Sequence, residues 1–498
     1  MSAKKRLVRL AIALSIASAC ANAGGQHPGG DGAGGSSAST GGNSGAAGSG
    51  SGGTLAGTGG LGAAGSTGAA GASGSGGSGT AGATGTAGST GTAGSTGTAG
   101  STGTAGSTGT AGSTGTSGGE FTGGACTIPA MPAYAALPTN MRLPDPFLSM
   151  SGSRITTMAQ WTCRRAEIKA QLETWELGAK PPKPAMVSGT VSNTSITVNA
   201  GDGTKSISFT ASVSLPATGT APFPAIIGYI GGSLNATAVK NLGVAIINYT
   251  NDDLGVQTNA SSRGQGKFYD LYGASNKAGS MIAWAWGVSR IMDVLEQSGS
   301  KVIDVKHVGV TGCSRDGKGA LVAGAFDERI ALTIPQESGS GGTATWRISD
   351  FQKSQGMNVQ TLSEITGEND WFTGAFSMFN NTATKLPFDH HMLMGMVAPR
   401  GLLAIDNTGI DWLTAPSSWG GEQAARMIFQ ALGVPNNLGA SQVSHGDHCT
   451  FQASQEPEVD AFIKKFLLGQ NVATTVNKTD GAAFDQARWV DWTAPTLN

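Results

Sequence analysis

Charge is scarce in this 498-residue chain: 13% of its residues are Asp, Glu, Lys or Arg, and they balance to a formal −1. No basic block is present, which argues against a nucleic-acid partner or binding to an anionic membrane surface. Long apolar runs are missing as well. The run LAIALSIASAC is too short to span a bilayer. It follows Lys4, Lys5, Arg6 and Arg9 and ends in small residues, so residues 1–20 are expected to be a secretory signal.

Between Gly24 and Gly119 almost everything but Gly, Ser, Thr and Ala disappears, and Asp31 is the only charge. Residues 85–114 are five copies of the hexad GTAGST. Such a segment cannot bury enough apolar surface to offset chain entropy, so residues 21–125 are expected to be a disordered linker. Collagen is excluded, because there is no strict Gly-X-Y repeat and almost no proline. As a Gly-rich coil of about 95 residues, the tether would reach roughly 55 Å on average.

Cysteines number five and divide unevenly. Cys20 closes the signal in ASAC, where a lipid-modified bacterial cysteine would stand, although Ala17 occupies the position usually held by Leu. It is expected either to leave with the signal or to carry a lipid anchor. The protein is then secreted or held at the outer cell surface. Cys126, Cys163, Cys313 and Cys449 form an even set, which favours two disulfides in an exported protein, and four cysteines allow three pairings.

From residue 126 to 498 the composition is that of one large domain. SITVNA and SISFTASVSL alternate like antiparallel strands, while PFPAIIGYIGG and LGVAIINYT are apolar throughout, like strands covered on both faces. SMIAWAWGVSRIMDVLEQ has helical period and crossover length. The strand KHVGVTG, a helix after Ser314, the strands RIALTIPQES and RGLLAIDN, the helix GEQAARMIFQALG, the strand LGASQVS and the helix PEVDAFIKKFLL follow. This alternation predicts the α/β-hydrolase class: a three-layer sandwich around a mainly parallel sheet.

In TGCSRDGKGA, Ser314 stands between a strand and a helix with small neighbours, where that fold puts its nucleophile. The spelling Gly312-Cys313-Ser314-Arg315-Asp316-Gly317 has its second glycine one place later than G-x-S-x-G. Alone it is weak, since a serine after a strand more often caps a helix. A serine needs a base, and the loop after the last strand offers His445 and His448, between which spacing does not choose. A Cys313–Cys449 pairing would bring Ser314 and His448 together. Two acids at strand ends, Glu337 and Asp406, could orient the histidine. His445, Asp447 and His448 share one short loop, a poor zinc site without further ligands, so neither metal nor cofactor is expected.

The run GCSRDGKGALVAGAFDERIALTIPQESGSGG, with DHC downstream, resembles the glucuronoyl esterases, carbohydrate esterase family 15. The similarity extends from RLPDPFLSMSG to FDQARWVDWTAPTL, and a bacterial member is expected. The resemblance implies Ser314 as nucleophile, His448 as base and Glu337 as acid, with Asp406 as alternative or second acid. It also implies Arg315 for the oxyanion and Lys318, Gln360, Glu368 and Trp412 for the sugar. The bridges it implies are Cys313–Cys449 and Cys126–Cys163. Thr345 stands where fungal relatives carry a further cysteine, so a third bridge is missing. The implied substrate is the ester between (4-O-methyl-)glucuronic acid of glucuronoxylan and lignin alcohols, cut by a monomer. Two other functions compete: a different carbohydrate esterase, such as an acetyl-xylan esterase, and a tethered, non-catalytic polysaccharide binder.

Overall fold

The computed structural model describes residues 119–498 except 122 and 125. The expected signal, Cys20 and nearly all of the linker lie outside the described residues. The packed chain begins before the expected boundary at 126. Phe121 is buried and its N–H bonds the Phe326 carbonyl at 3.2 Å, while Glu120 pairs with Arg290 and with Lys180.

Ten strands form one sheet: β1 Met186–Val191, β2 Ser195–Gly201, β3 Ser206–Ser214, β4 Phe223–Tyr229, β5 Ala245–Tyr249, β6 Ile303–Cys313, β7 Ile330–Gln336, β8 Gly401–Asn407, β9 Leu438–Val443 and β10 Asn477–Lys478. Their order is β1-β2-β3-β5-β4-β6-β7-β8-β9-β10. The first three strands and the β3–β5 pair are antiparallel, and every pair from β5 onward across the sheet is parallel. The apolar runs read from the sequence are the central strands; all seven residues of β8 are buried. This is the α/β-hydrolase fold, as expected.

The helix Ser280–Gln297 is bounded as its periodicity predicts and buries all but its last two residues, with Trp284 and Trp286 fully inside. Burial on that scale reflects its position between the sheet and the segments around Tyr249 and Gly255: Trp284 donates its indole N–H to the Gly255 carbonyl at 2.8 Å. Apolar burial of this kind stabilises by about 25 cal/mol per Å², which anchors the layer against which the helix Arg315–Phe326 packs.

Both implied bridges are formed, Cys126–Cys163 and Cys313–Cys449. At the missing third bridge the chain has a buried hydroxyl cluster. Thr345 Oγ1 and Ser417 Oγ lie 3.3 Å apart, Ser417 Oγ donates to the Thr345 carbonyl at 2.8 Å, and Ser349 Oγ reaches Ser417 Oγ at 3.0 Å. Hydrogen bonds occupy the place of the bridge whose absence the sequence implies.

Candidate active site

β6 ends at Cys313 and the helix begins at Arg315, so Ser314 occupies a one-residue turn. Its backbone is at φ 59°, ψ −128°, a conformation that costs a non-glycine residue about 1–3 kcal/mol. The turn is held by the Ser314 N–H donating to the Gln336 carbonyl at 2.9 Å and by the Lys318 N–H donating to the Ser314 carbonyl at 3.0 Å. The late second glycine now has a reason. A Cβ on Gly312 would sit 2.4 Å from the Asp316 carbonyl oxygen, and one on Gly317 would sit 2.7 Å from that of Gln336. The first helical turn presses directly on the end of β7, and only glycine fits there.

Glu337 follows β7, also at positive φ (43°), and its side chain is 1% exposed. Its Oε2 accepts from His448 Nδ1 at 2.9 Å and from the Cys449 N–H at 3.0 Å; its Oε1 accepts from Gln336 Nε2 at 3.3 Å. Burial would raise the carboxyl pKa, but the bond from His448, the Cys449 amide and the remaining donors outweigh it and hold Glu337 below the usual glutamate value. His448 Nε2 is buried and has no hydrogen-bond partner. The Cys313–Cys449 bridge, with Cα atoms 5.7 Å apart, joins the residue before Ser314 to the residue after His448.

Asp406, the second candidate acid, does not meet His448. Its Oδ2 accepts from Thr343 Oγ1 at 3.1 Å, and Glu422 and the Ser338 backbone also adjoin it. Burial, and then the Asp406 charge, push the Glu422 carboxyl well above an ordinary glutamate. Of the two histidines left open by spacing, both touch Glu337: His445 Nε2 lies 3.5 Å from Oε1. The other described histidines are occupied elsewhere, His307 with Asp304, His390 with Glu176 and His391 with the Pro144 carbonyl.

Arg315 heads the helix, and its Nε is buried without a hydrogen-bond partner. Asp252 and Asp316 flank it; burial raises both of their pKa values, that of Asp316 to about 6, and the Arg315 charge opposes the rise. The expected sugar residues fall into two groups. Gln360 Nε2 donates to Glu368 Oε2 at 2.7 Å and the Gln360 N–H reaches the Trp412 carbonyl at 3.3 Å. Trp412 sets its ring edge-on to His448 with centroids 4.8 Å apart. Lys318 is buried, donates to the Ser338 carbonyl at 2.6 Å and lies 5.7 Å from the centroid of Trp371. Trp371 was not anticipated; its indole N–H is fixed by Gln257 Oε1 at 2.7 Å. A lone buried tryptophan carries no sequence signal that separates it from core.

Ligand atoms of Cys313, His448 and Cys449 lie within 4.8 Å of one another. The two sulfurs are joined in a disulfide, so neither can supply the thiolate that a metal needs.

A strained serine at a strand–helix turn, beside a histidine loop whose imidazole rests on a buried carboxylate, is the arrangement of an α/β-hydrolase of the esterase type. Comparison with known proteins gives the family. A model of fungal glucuronyl esterases matches residues 197–433. The chain is 51% identical to the 4-O-methyl-glucuronoyl methylesterase of Hypocrea jecorina over 75% of this chain and 80% of that one. It is 47% identical to that of Schizophyllum commune over 74% of this chain and 94% of that one. The solved catalytic domain of the Hypocrea jecorina enzyme superposes with a TM-score of 0.71, covering 74% of this chain and all of that one. A glucuronoyl esterase variant from Sporotrichum thermophile, solved in complex with methyl 4-O-methyl-β-D-glucopyranuronate, is 47% identical, with a TM-score of 0.70 over 75% of this chain and all of that one. The chain belongs to the glucuronoyl esterase family, carbohydrate esterase family 15. The expectation of a bacterial member is not borne out, because these similar relatives are fungal.

Proposed function

We propose that this chain is a carboxylic ester hydrolase that cuts the ester between a glucuronic acid, with or without its 4-O-methyl group, and an alcohol. The observation that carries this reading is the Glu337–His448 pair at 2.9 Å with the opposite nitrogen, Nε2, buried and unpartnered beside the Ser314 turn. Ser314 Oγ attacks the ester carbonyl carbon and its proton passes to His448 Nε2. The carbonyl oxygen becomes an oxyanion, which Arg315 and backbone N–H groups stabilise where charge develops. The tetrahedral intermediate collapses, His448 returns the proton to the departing alcohol oxygen, and the glucuronoyl group stays on Ser314. Water, deprotonated by His448, then attacks the acyl carbon, the bond to Ser314 Oγ breaks, His448 returns the proton to that oxygen, and the uronic acid leaves.

Lys318, Gln360, Glu368 and Trp412 supply a donor, an amide, an acceptor and an apolar wall to the sugar. The natural alcohol is of the lignin type and the acid is a side group of glucuronoxylan; the enzyme acts as a monomer. Residues 1–20 direct export and residues 21–125 act as a tether, so the domain works outside the cell, either free or held through a lipid on Cys20.

Release of glucuronic acid from benzyl glucuronate, run beside acetylated xylan and the Ser314→Ala variant, tests the reading. Hydrolysis of the uronate ester alone, abolished in the variant, is expected. Hydrolysis of acetyl esters alone would overturn the substrate, and no hydrolysis by a folded protein would leave a tethered binder.

A further inference from the structure

Glu337 meets two histidines, one on each oxygen, and the proposed reaction uses only His448. His445, in the loop after β9, stands 3.5 Å from Oε1 by its Nε2, with 10% of its side chain exposed. Its other ring nitrogen, Nδ1, lies 3.2 Å from Asn407 Nδ2. The orientation of that amide is fixed independently. Asn407 Oδ1 accepts the N–H of Gly409 at 2.8 Å and of His445 at 3.2 Å, so Nδ2 is the atom that faces the ring. The same Nδ2 reaches Glu337 Oε2 at 3.5 Å. An amide nitrogen only donates, so His445 Nδ1 must accept and the ring proton sits on Nε2, toward the carboxylate. Protonating the ring would set an Nδ1–H against the Asn407 NH2, donor against donor.

We propose that His445 is a positioning residue for Glu337, locked by Asn407 in its neutral Nε2–H tautomer. It braces Oε1, so that Oε2 stays on His448, and it does so without bringing a second positive charge to the carboxylate. Glu337 has one cation to stabilise, the His448 imidazolium formed when Ser314 attacks. A charged His445 would compete for that carboxylate and make His448 a weaker base; a neutral one orients it and leaves its charge available. Gln336 Nε2, at 3.3 Å, is the other donor on Oε1. The charged or titratable groups around His445 include Glu337 at the end of β7, Asp447 and His448 in its own loop, and Asp480, which accepts from the adjacent Ser444 N–H and from Thr408 Oγ1. Asp406 on β8 is turned toward Thr343 and Glu422.

This inference rests on the esterase reading, so its test has an arm that needs no activity. Histidine ring ¹⁵N spectra of the full chain at pH 8 are expected to show the Nε2–H tautomer for His445. The Nδ1–H tautomer would overturn the inference. The second arm is the pH profile of uronate-ester hydrolysis by His445→Ala and His445→Gln. His445→Ala is expected to lose about tenfold in kcat with KM within twofold, the loss expected of a misplaced catalytic carboxylate. Its acid limb should move to higher pH, because Glu337 loses a donor and holds the His448 proton more tightly. His445→Gln, which keeps an N–H near Oε1, should recover most of the kcat. A folded His445→Ala with unchanged kcat and an unmoved limb would sink the role. Absence of uronate-ester hydrolysis in the unsubstituted chain would instead defeat the esterase reading and leave the tautomer result standing.

Discussion

Glu337 and Cys449 are joined by a hydrogen bond, the Cys449 N–H donating to Oε2 at 3.0 Å, on the same oxygen that receives His448 Nδ1. Cys449 is also disulfide-bonded to Cys313, beside Ser314. One residue therefore ties the candidate acid, base and nucleophile to each other, twice through its own atoms and once through its neighbour.

Glu337→Gln should keep the fold and lower kcat for the uronate ester by about 10³–10⁴, because an amide neither fixes the His448 tautomer nor stabilises its cation. Asp406→Asn should cost less than about tenfold, since Asp406 meets Thr343 and Glu422 and not His448. Steady-state kinetics on the two purified variants decide it. Equal losses would reassign the acid.

Removing the Cys313–Cys449 bridge by Cys449→Ser should lower both stability and activity. The bridge closes a loop of 136 residues, for which chain entropy alone predicts a loss of about 5 kcal/mol. Denaturation of the variant reports the first effect, and kcat at a temperature where it remains folded reports the second. Undiminished kcat in folded variant would make the bridge purely structural.

Asp316 gives a pH-dependent stability term of definite sign. Burial raises its carboxyl to about 6 in the fold, from an ordinary 3.8. The folded protein thus binds the proton more tightly than the unfolded chain, so stability falls as pH rises through this interval and the full cost is present above pH 6. Asp316→Asn removes the cost: relative to the unsubstituted protein it should gain up to about 2–3 kcal/mol at pH 8 and little at pH 4. Urea denaturation at both pH values measures the difference. A gain that is larger at pH 4 would contradict the assignment.

Thr345→Val should destabilise by about 1 kcal/mol, because it removes the one contact made by the Thr345 hydroxyl, to Ser417 Oγ, while Ser417 keeps the Thr345 carbonyl and Ser349 as partners. Thermal melts are sufficient to see it. Stability equal to or above that of the unsubstituted chain would show that the hydroxyl cluster does not stand in for the absent bridge.

Much of this was legible from the sequence, for physical reasons that differ between elements. The helix Ser280–Gln297 carried an uninterrupted period, and β4, β5 and β8 were continuous apolar runs. β1, with no buried residue, gave no such signal and was missed, as was the two-residue β10. The choice between Glu337 and Asp406 was beyond spacing, because both are acids at the ends of parallel strands. What separates them is the backbone. Glu337 leaves β7 at positive φ and turns toward the histidine loop, whereas Asp406 remains within β8 and points at Glu422. His445 was seen, but its contact with the second oxygen of Glu337 depends on where Asn407 directs its amide, which no pattern of residue types encodes.

The two bridges have a consequence for how the molecule is made. They link the first of the four cysteines in order to the second, and the third to the fourth. A chain that meets an oxidant as it emerges, N-terminus first, finds Cys126 and Cys163 together before Cys313 appears. Cys313 then waits, with no free thiol among the described cysteines to trap it, until Cys449 arrives. Order of arrival alone selects the native pairing out of the three that four cysteines permit, so correct oxidation needs no reshuffling. In such a chain the last covalent bond to close would be the one beside Ser314, and maturation would end at the candidate active site.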